Sequence, residues 1–238
     1  MKQVVLITGG TQGIGLGLAK AFKAKGAEVA VCGRSEGPLD AFARAFPGAL
    51  AIKADVTIAQ DRAAMLEAVS QRFGRIDVLV NNAGRFVERD FLSADAVADL
   101  EGEVALNLTA PIHLTSEVLQ RWPALQSIIF VSSGFALVSP ARAPTYGAVK
   151  AGLHGFADGL RRQLAPNGTH VLELLPTTTD TPGTAAETRK KMTTAEVAKI
   201  TLEALAKKKS MALPGSMKLL PTLLRIAPEA TRRMIAEI

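Results

Sequence analysis

Six short apolar runs, residues 3–8, 28–33, 49–53, 76–81, 126–132 and 170–175, recur along the chain, each bounded by Gly, Pro, Asp or Asn. Runs of that length without polar alternation suit strands buried on both faces. Between them lie longer stretches of helical periodicity, at 14–25, 38–45, 59–73, 94–121 and 145–164, with short connections. This β-α-β-α alternation predicts an α/β fold: one doubly wound, Rossmann-type parallel sheet with helices on both faces. Right-handed crossovers then place ligands beyond the carboxyl ends of the strands, where strand order reverses. The residues just after each strand are therefore the ones to read for chemistry.

No repeat or linker divides the chain, so residues 1–238 read as a single domain. The texture changes after about residue 176. A Thr-, Pro- and Gly-rich flap is expected at 177–193, then a helix at 194–207, a candidate last strand at 210–213, and helical segments from 217 onward interrupted at Pro221 and Pro228. The net charge of +6 raises nucleic acid as a partner. Residues 185–238, however, hold 11 basic and 5 acidic side chains, which is the whole of that excess. A basic tail without stacking aromatics argues against nucleic-acid binding. Cys32 is the only cysteine, which excludes an intramolecular disulfide, and His113, His154 and His170 are scattered, so no metal is expected. No run approaches the ~18 apolar residues of a membrane span, and the N-terminus does not read as a signal peptide. The expectation is a cytoplasmic protein with a reduced thiol.

Directly after the first strand comes Thr8-Gly9-Gly10-Thr11-Gln12-Gly13-Ile14-Gly15, opening a helix. Glycines there permit a tight turn and close backbone approach, so a pyrophosphate can sit on the helix N-terminus. The spacing, G-x-x-x-G-x-G, is not the commoner G-x-G-x-x-G, and an ordinary glycine turn would read alike; its place between strand and helix is what singles it out. The second strand ends Cys32-Gly33-Arg34-Ser35. No acid stands there to bind a ribose 2′-hydroxyl, whereas the Arg34 fork suits a 2′-phosphate, the alternative being a solvated surface arginine. Asp55-Val56 and Asn81-Asn82-Ala83-Gly84 fall at the same sheet edge, where turn chemistry is the plainer explanation.

Tyr146 and Lys150 are four residues apart and share a helix face. Bringing a phenol from near 10 toward neutrality, by about 3 units, needs roughly 4 kcal/mol of preference for the phenolate, which neighbouring cations supply. An aromatic ring packed under a lysine stem is the competing account of such a pair. Against it stands the position of Tyr146, the only tyrosine in the chain, 13 residues after Ser133 at the end of an apolar run.

In this order and spacing, the 8–15 loop, Asp55, the Asn81-Asn82-Ala83-Gly84 run, Asn107, Ser133, Tyr146 and Lys150 resemble the short-chain dehydrogenase/reductase family over about residues 3–182. The resemblance implies an oxidoreductase that interconverts a carbonyl and a secondary alcohol with NADP(H), favoured over NAD(H) on Arg34. It implies Tyr146 as general acid/base, Lys150 lowering the phenol pKa and holding the nicotinamide ribose, Ser133 holding the substrate oxygen, and Asn107 positioning a relay water. It assigns Gly9, Thr11, Gln12, Gly13, Ile14 and Gly15 to the pyrophosphate, and Asp55 and Val56 to the adenine. Asn81 with the Ala83 and Gly84 backbone goes to the adenosine and ribose, Pro176 and Thr179 to the nicotinamide face, and Thr181 to the carboxamide.

Two departures stand out: Thr177 and Thr179 replace the Gly and the aliphatic residue usual after the sixth strand, and Gln12 stands where NADP-preferring members often carry a basic residue. Homodimers or homotetramers through the helices around 105–121 and 145–164 are expected by the same resemblance. Within this class, a 3-oxoacyl thioester reductase is an alternative. From another class, a dinucleotide-binding sensor or scaffold without turnover is the alternative, weakened by the presence of all four catalytic residues.

Elsewhere, Cys32 reads as an inert core thiol and His154 as a helix-surface residue, with a cofactor or a partner subunit as its other readings. Arg85, Phe86, Phe135, Leu137, Arg142 and the flap are expected to line the substrate pocket. Lys207, Lys208 and Lys209 complement a helix C-terminus. Residues 216–238 form a basic amphipathic tail suited to packing within the protein or its oligomer, to capping the substrate, or to peripheral contact with an anionic membrane.

Overall fold

The computed structural model describes residues 1–236; Glu237 and Ile238, the end of the expected tail, lie outside the described residues. Within them β1 (Val4–Thr8), β2 (Glu28–Gly33), β3 (Leu50–Lys53), β4 (Val78–Asn81), β5 (Ser127–Val131), β6 (His170–Leu174) and β7 (Met211–Ala212) form a parallel sheet in the order β3-β2-β1-β4-β5-β6-β7. The order reverses at β1, where Leu6 is in register with Ala30 of β2 on one side and Leu79 of β4 on the other. In sheets of this kind ligands bind beyond the strand ends at that point.

Why the strands read as unbroken apolar runs is visible in how alternate residues divide between two cores. Val5, Ile7, Val29 and Val31 pack against α1 (Gly13–Ala24), α2 (Glu36–Ala45) and α7 (Thr194–Ala206) through Leu18, Phe22, Phe42, Val197 and Leu202. Leu6, Ala30, Leu79, Ile128 and Phe130 meet α3 (Ala59–Phe73), α5 (Ala110–Arg121) and α6 (Pro144–Leu164) through Met65, Leu66, Leu114, Val118, Leu153 and Ala157. Each large side chain so buried stabilises the fold by about 1.5–3 kcal/mol, and both faces need covering for that gain to be realised. Cys32 sits within the second core as a free thiol, pushed up to about 12 by burial.

The single helix expected at 94–121 is broken. Residues 94–99 are irregular, followed by α4 (Leu100–Val104), a π-helical turn at Ala105–Thr109, and α5. Two causes are evident. Arg89 Nη1 donates to the carbonyls of Ala96 (2.9 Å) and Ala98 (2.7 Å), which removes both acceptors from any helical ladder. Pro111 has no N–H to return to Asn107, four residues back, and the widened π-turn absorbs the misfit.

The tail is a short turn at Gly215–Lys218 followed by α8 (Leu220–Ile226) and α9 (Pro228–Ala236). Pro221 and Pro228 fall in the first turns of these helices, where a missing N–H costs nothing. Leu220 and Ile235 bury against Val138, Phe135 and Leu137, so the tail folds back over the segment that follows β5. Among the described residues, no helix is long and apolar enough to cross a membrane.

Candidate active site

The glycine loop is closed by contacts that tolerate no side chain. Gly9 and Gly13 hold φ of 61° and 53°, in the left-handed region, and a Cβ on Gly15 would run into the Gly9 carbonyl. Gln12 caps α1 in an extended conformation but its side chain makes no capping bond, so the first-turn N–H groups remain for an anion. Thr8 and Asn82 lock this loop to the exit of β4. Thr8 Oγ1 accepts from the N–H groups of Asn82 and Ala83 (3.0 Å each), and Asn82 Nδ2 donates to the carbonyls of Thr8 (2.8 Å) and Gly9 (3.1 Å). Such a cradle, with orphan donors and no room for a Cβ, fits a dinucleotide pyrophosphate.

Around the loop the expected contacts divide. Arg34 extends into solvent at the end of β2, its guanidinium 3.8 Å from the Asp55 carboxylate. Burial works against the Asp55 charge, yet bonds from the Thr57 N–H and hydroxyl, with Arg34 beside it, hold its carboxyl below the usual range. Val56 packs in the core and its carbonyl is taken by Arg62, while Asn81 Nδ2 donates inward to Thr115 Oγ1 (3.0 Å). Both side chains are buried where they stand.

The four residues expected to act together converge at the ends of β4 and β5 and on the first turns of α6. Ser133 follows β5 and accepts the Phe135 N–H (3.2 Å). Tyr146 lies in the first turn of α6, where the helix dipole favours negative charge. Lys150 is 4% exposed, donates to the Val131 carbonyl (3.1 Å), and places Nζ 5.6 Å from the Tyr146 ring centre. Asn107, wholly buried in the π-turn, grips the Arg85 backbone at both ends, accepting its N–H (3.2 Å) and donating to its carbonyl (3.0 Å).

Gly84 makes the convergence sterically feasible. A Cβ there would stand 2.7 Å from Asn107 Oδ1 and 3.5 Å from Lys150 Nζ. Burial pushes the Tyr146 phenol up to about 12, against the pull of the Ser133 hydroxyl, and the Glu103 carboxylate adds to the rise. Burial also pushes Lys150 down to about 8, opposed by Glu173. The phenol thus lies above its usual range with Lys150 alone beside it, whereas the expected shift toward neutrality called on a cationic nicotinamide as well. Desolvation dominates both shifts.

Phe86 and Phe135 stand edge-on to Tyr146, with ring centres 4.9 and 6.4 Å away. Arg142 lies over Phe86 at 4.9 Å and pairs with Glu88 and with Glu187 of the flap. The flap is tied to itself where Thr179, 3% exposed, donates to the Thr177 carbonyl (2.8 Å) and the Asp180 N–H donates to Met192 (2.8 Å). Thr181 reaches across to the glycine loop, 3.2 Å from where a Cβ on Gly13 would stand. Pro176, at the end of β6, is half-buried.

The family model for short chain dehydrogenase matches residues 3–192. The chain belongs to the short-chain dehydrogenase family. It is 39% identical over 181 residues to the oxidoreductase DltE of Bacillus subtilis, covering 74% of this chain and 71% of that one. A putative ketoacyl reductase of Streptomyces coelicolor is 33% identical, covering 77% and 73%. The structure of a Sphingobium yanoikuyae short-chain dehydrogenase in complex with NADPH superposes with a TM-score of 0.81 at 27% identity, covering 99% of this chain and 96% of that one.

As a short-chain dehydrogenase, the protein is an NAD(P)-dependent oxidoreductase acting on a carbonyl/alcohol pair. Reading the sequence missed three of its buried ionic residues. Arg89 and Glu103 pair at 3.0 Å, 8% and 0% exposed, and both bond to Thr145 Oγ1 beside Tyr146. Glu173, on β6, is hidden in the sequence by the aliphatic residues around it, and His154, half-buried on α6, reaches its carboxylate.

Proposed function

We propose that this short-chain dehydrogenase reduces a ketone with NADPH, using Tyr146 as the general acid. The reading is carried by one observation: Ser133, Tyr146, Lys150 and Asn107 meet near the strand ends, beside a glycine loop whose helix N-terminus is left without a side-chain cap. When bound, the dinucleotide supplies hydride to the carbonyl carbon. The Ser133 hydroxyl holds the carbonyl oxygen, and Tyr146 gives that oxygen its proton. Lys150, charged, favours the phenolate left behind and binds the nicotinamide ribose. Asn107 orients the water that returns a proton to the site. Thr179 and Thr181 border the nicotinamide from the flap, and Arg34 reads the 2′-phosphate.

A 3-oxoacyl thioester is the second substrate reading. It is favoured by the apolar wall of Phe86, Phe135 and Met217, which suits an acyl chain, and by the likeness to a ketoacyl reductase. Pairing of the α5 and α6 faces into a homodimer or homotetramer is part of the proposal, and sedimentation tests it. Leu219 and Ile226, 63% and 76% exposed beside Lys218 and Arg225, form the face a peripheral membrane contact would use, and cosedimentation with anionic vesicles tests that.

Fluorescence titration with NADPH and with NADH, followed by a ketone screen of the wild type and Tyr146→Phe, tests the whole reading. Tighter NADPH binding, with turnover lost by about 10²–10⁴-fold in the variant at unchanged cofactor affinity, is the expected result. Near-normal turnover in Tyr146→Phe refutes the acid, and preference for NADH refutes the cofactor.

A further inference from the structure

The interior of β6 carries a carboxylate: Glu173 is 1% exposed between Leu172 and Leu174. Its register neighbours are Phe130 on β5 and Met211 on β7, so those positions bring it no charge. The charges come from α6. The His154 Nδ1–H donates to Glu173 Oε2 at 2.7 Å, while Oε1 is buried without a hydrogen-bond partner among the described residues. Lys150 stands one turn before His154, and Tyr146 one turn before Lys150, so the three follow a single stripe of the helix. On the next turns Asp158 and Arg161 pair with each other at 3.2 Å, and they act on His154 with opposite signs.

A carboxylate on an interior strand is costly to bury unless it compensates another charge. Lys150 carries such a charge: it is almost wholly buried and its only hydrogen bond among the described residues is to a neutral carbonyl. The Arg89–Glu103 pair does not serve it, since Glu103 is already engaged by Arg89 and Thr145 and acts on Tyr146. We propose that Glu173 is a positioning residue for Lys150: the strand-borne carboxylate, held in place by His154, keeps the Lys150 ammonium charged and aligned beside Tyr146. The inference rests on the reading of Lys150 as part of the reductase site, and adds to it the group that sustains the charge from beneath.

Glu173→Gln preserves shape and removes the charge. Lys150 is followed by NMR titration of lysine-labelled protein, its signal identified by loss in Lys150→Arg. The expected result is a fall in the Lys150 midpoint by about one pH unit, tenfold in its protonation constant. The alkaline limb of kcat/KM for ketone reduction should fall with it, while efficiency well below that limb changes by less than about threefold. A merely structural carboxylate would instead lower kcat alike at every pH and leave the midpoint in place. An unmoved midpoint in a folded variant overturns the proposal. Should Gln fail to fold, Glu173→Met, apolar and of similar length, is read in its place on the same criterion. The midpoint is read without substrate, so an inactive wild type counts against the reductase reading alone, and the titration still decides the role of Glu173.

Discussion

The Met217 thioether lies against the bare Cα of Gly134, the residue after Ser133, where any Cβ would collide with the sulfur. The tail thereby packs directly on the turn that follows Ser133, the wall of the cleft in the proposed reading, and α8 is fixed by Leu220 burying against Val138 and Phe135. Met217→Ala should leave NADPH affinity unchanged and raise KM for ketones with long apolar chains by about tenfold, the weight of one or two methylenes in an apolar pocket. Small ketones should be affected little. Steady-state kinetics over a series of chain lengths checks this, and a uniform change across the series would count against a wall contact.

Gly84 sets the spacing of Asn107 and Lys150, the pair that the proposed mechanism assigns to the relay. Its missing Cβ is what lets Asn107 Oδ1 and Lys150 Nζ approach the same point, at 2.7 and 3.5 Å from it. Gly84→Ala should therefore displace one of them and lower kcat by about 10²-fold, the cost of an ångström-scale misplacement. Circular dichroism should show the fold retained. Wild-type kcat in that variant would mean that neither residue needs its present position.

The pH profile follows from the two groups on α6. By the proposed mechanism, ketone reduction needs a protonated Tyr146, which burial raises to about 12, and a charged Lys150, which burial lowers to about 8. The acid form of the phenol thus persists beyond the range in which the ammonium is lost. Activity should be flat below pH about 8 and fall above it, tenfold per unit, with Lys150 rather than Tyr146 setting the limb. A profile that stays flat to pH 10 would show that Lys150 keeps its charge by other means.

The sheet and the glycine cradle were legible in the sequence because their causes are local. A strand covered on both faces has to be apolar throughout, and a loop passing under a helix N-terminus at contact distance has to lack side chains, as Gly9, Gly13 and Gly15 do. The break in 94–121 was not read: Pro111 went unused as a signal, and Arg89, which engages the Ala96 and Ala98 carbonyls, comes from outside that stretch. Glu173 was hidden because its partner, His154, lies on a different element 19 residues earlier. For the same reason His154 read as a surface residue. Periodicity assigns a face to a helix but does not reveal a carboxylate waiting on the strand beneath it.

In the proposed reading, the choice between the two cofactors falls to Arg34. No acid stands at the end of β2 to accept a ribose hydroxyl, and the guanidinium is exposed, its nearest charge the Asp55 carboxylate at 3.8 Å. At that distance the pair is loose and exposed, worth at most about 1 kcal/mol, so a phosphate dianion can take the fork without a large loss elsewhere. Gln12 brings no second cation to the loop. The discrimination then rests on one residue, and charge-assisted bonds of about 1.5–3 kcal/mol correspond to roughly 10- to 150-fold in affinity. Arg34→Asp should weaken NADPH by that factor and more from repulsion, while leaving NADH within about threefold, because NADH carries no 2′-phosphate to lose. Paired fluorescence titrations at fixed ionic strength measure both. Equal weakening of the two cofactors would mean that Arg34 supports the loop rather than reading the phosphate.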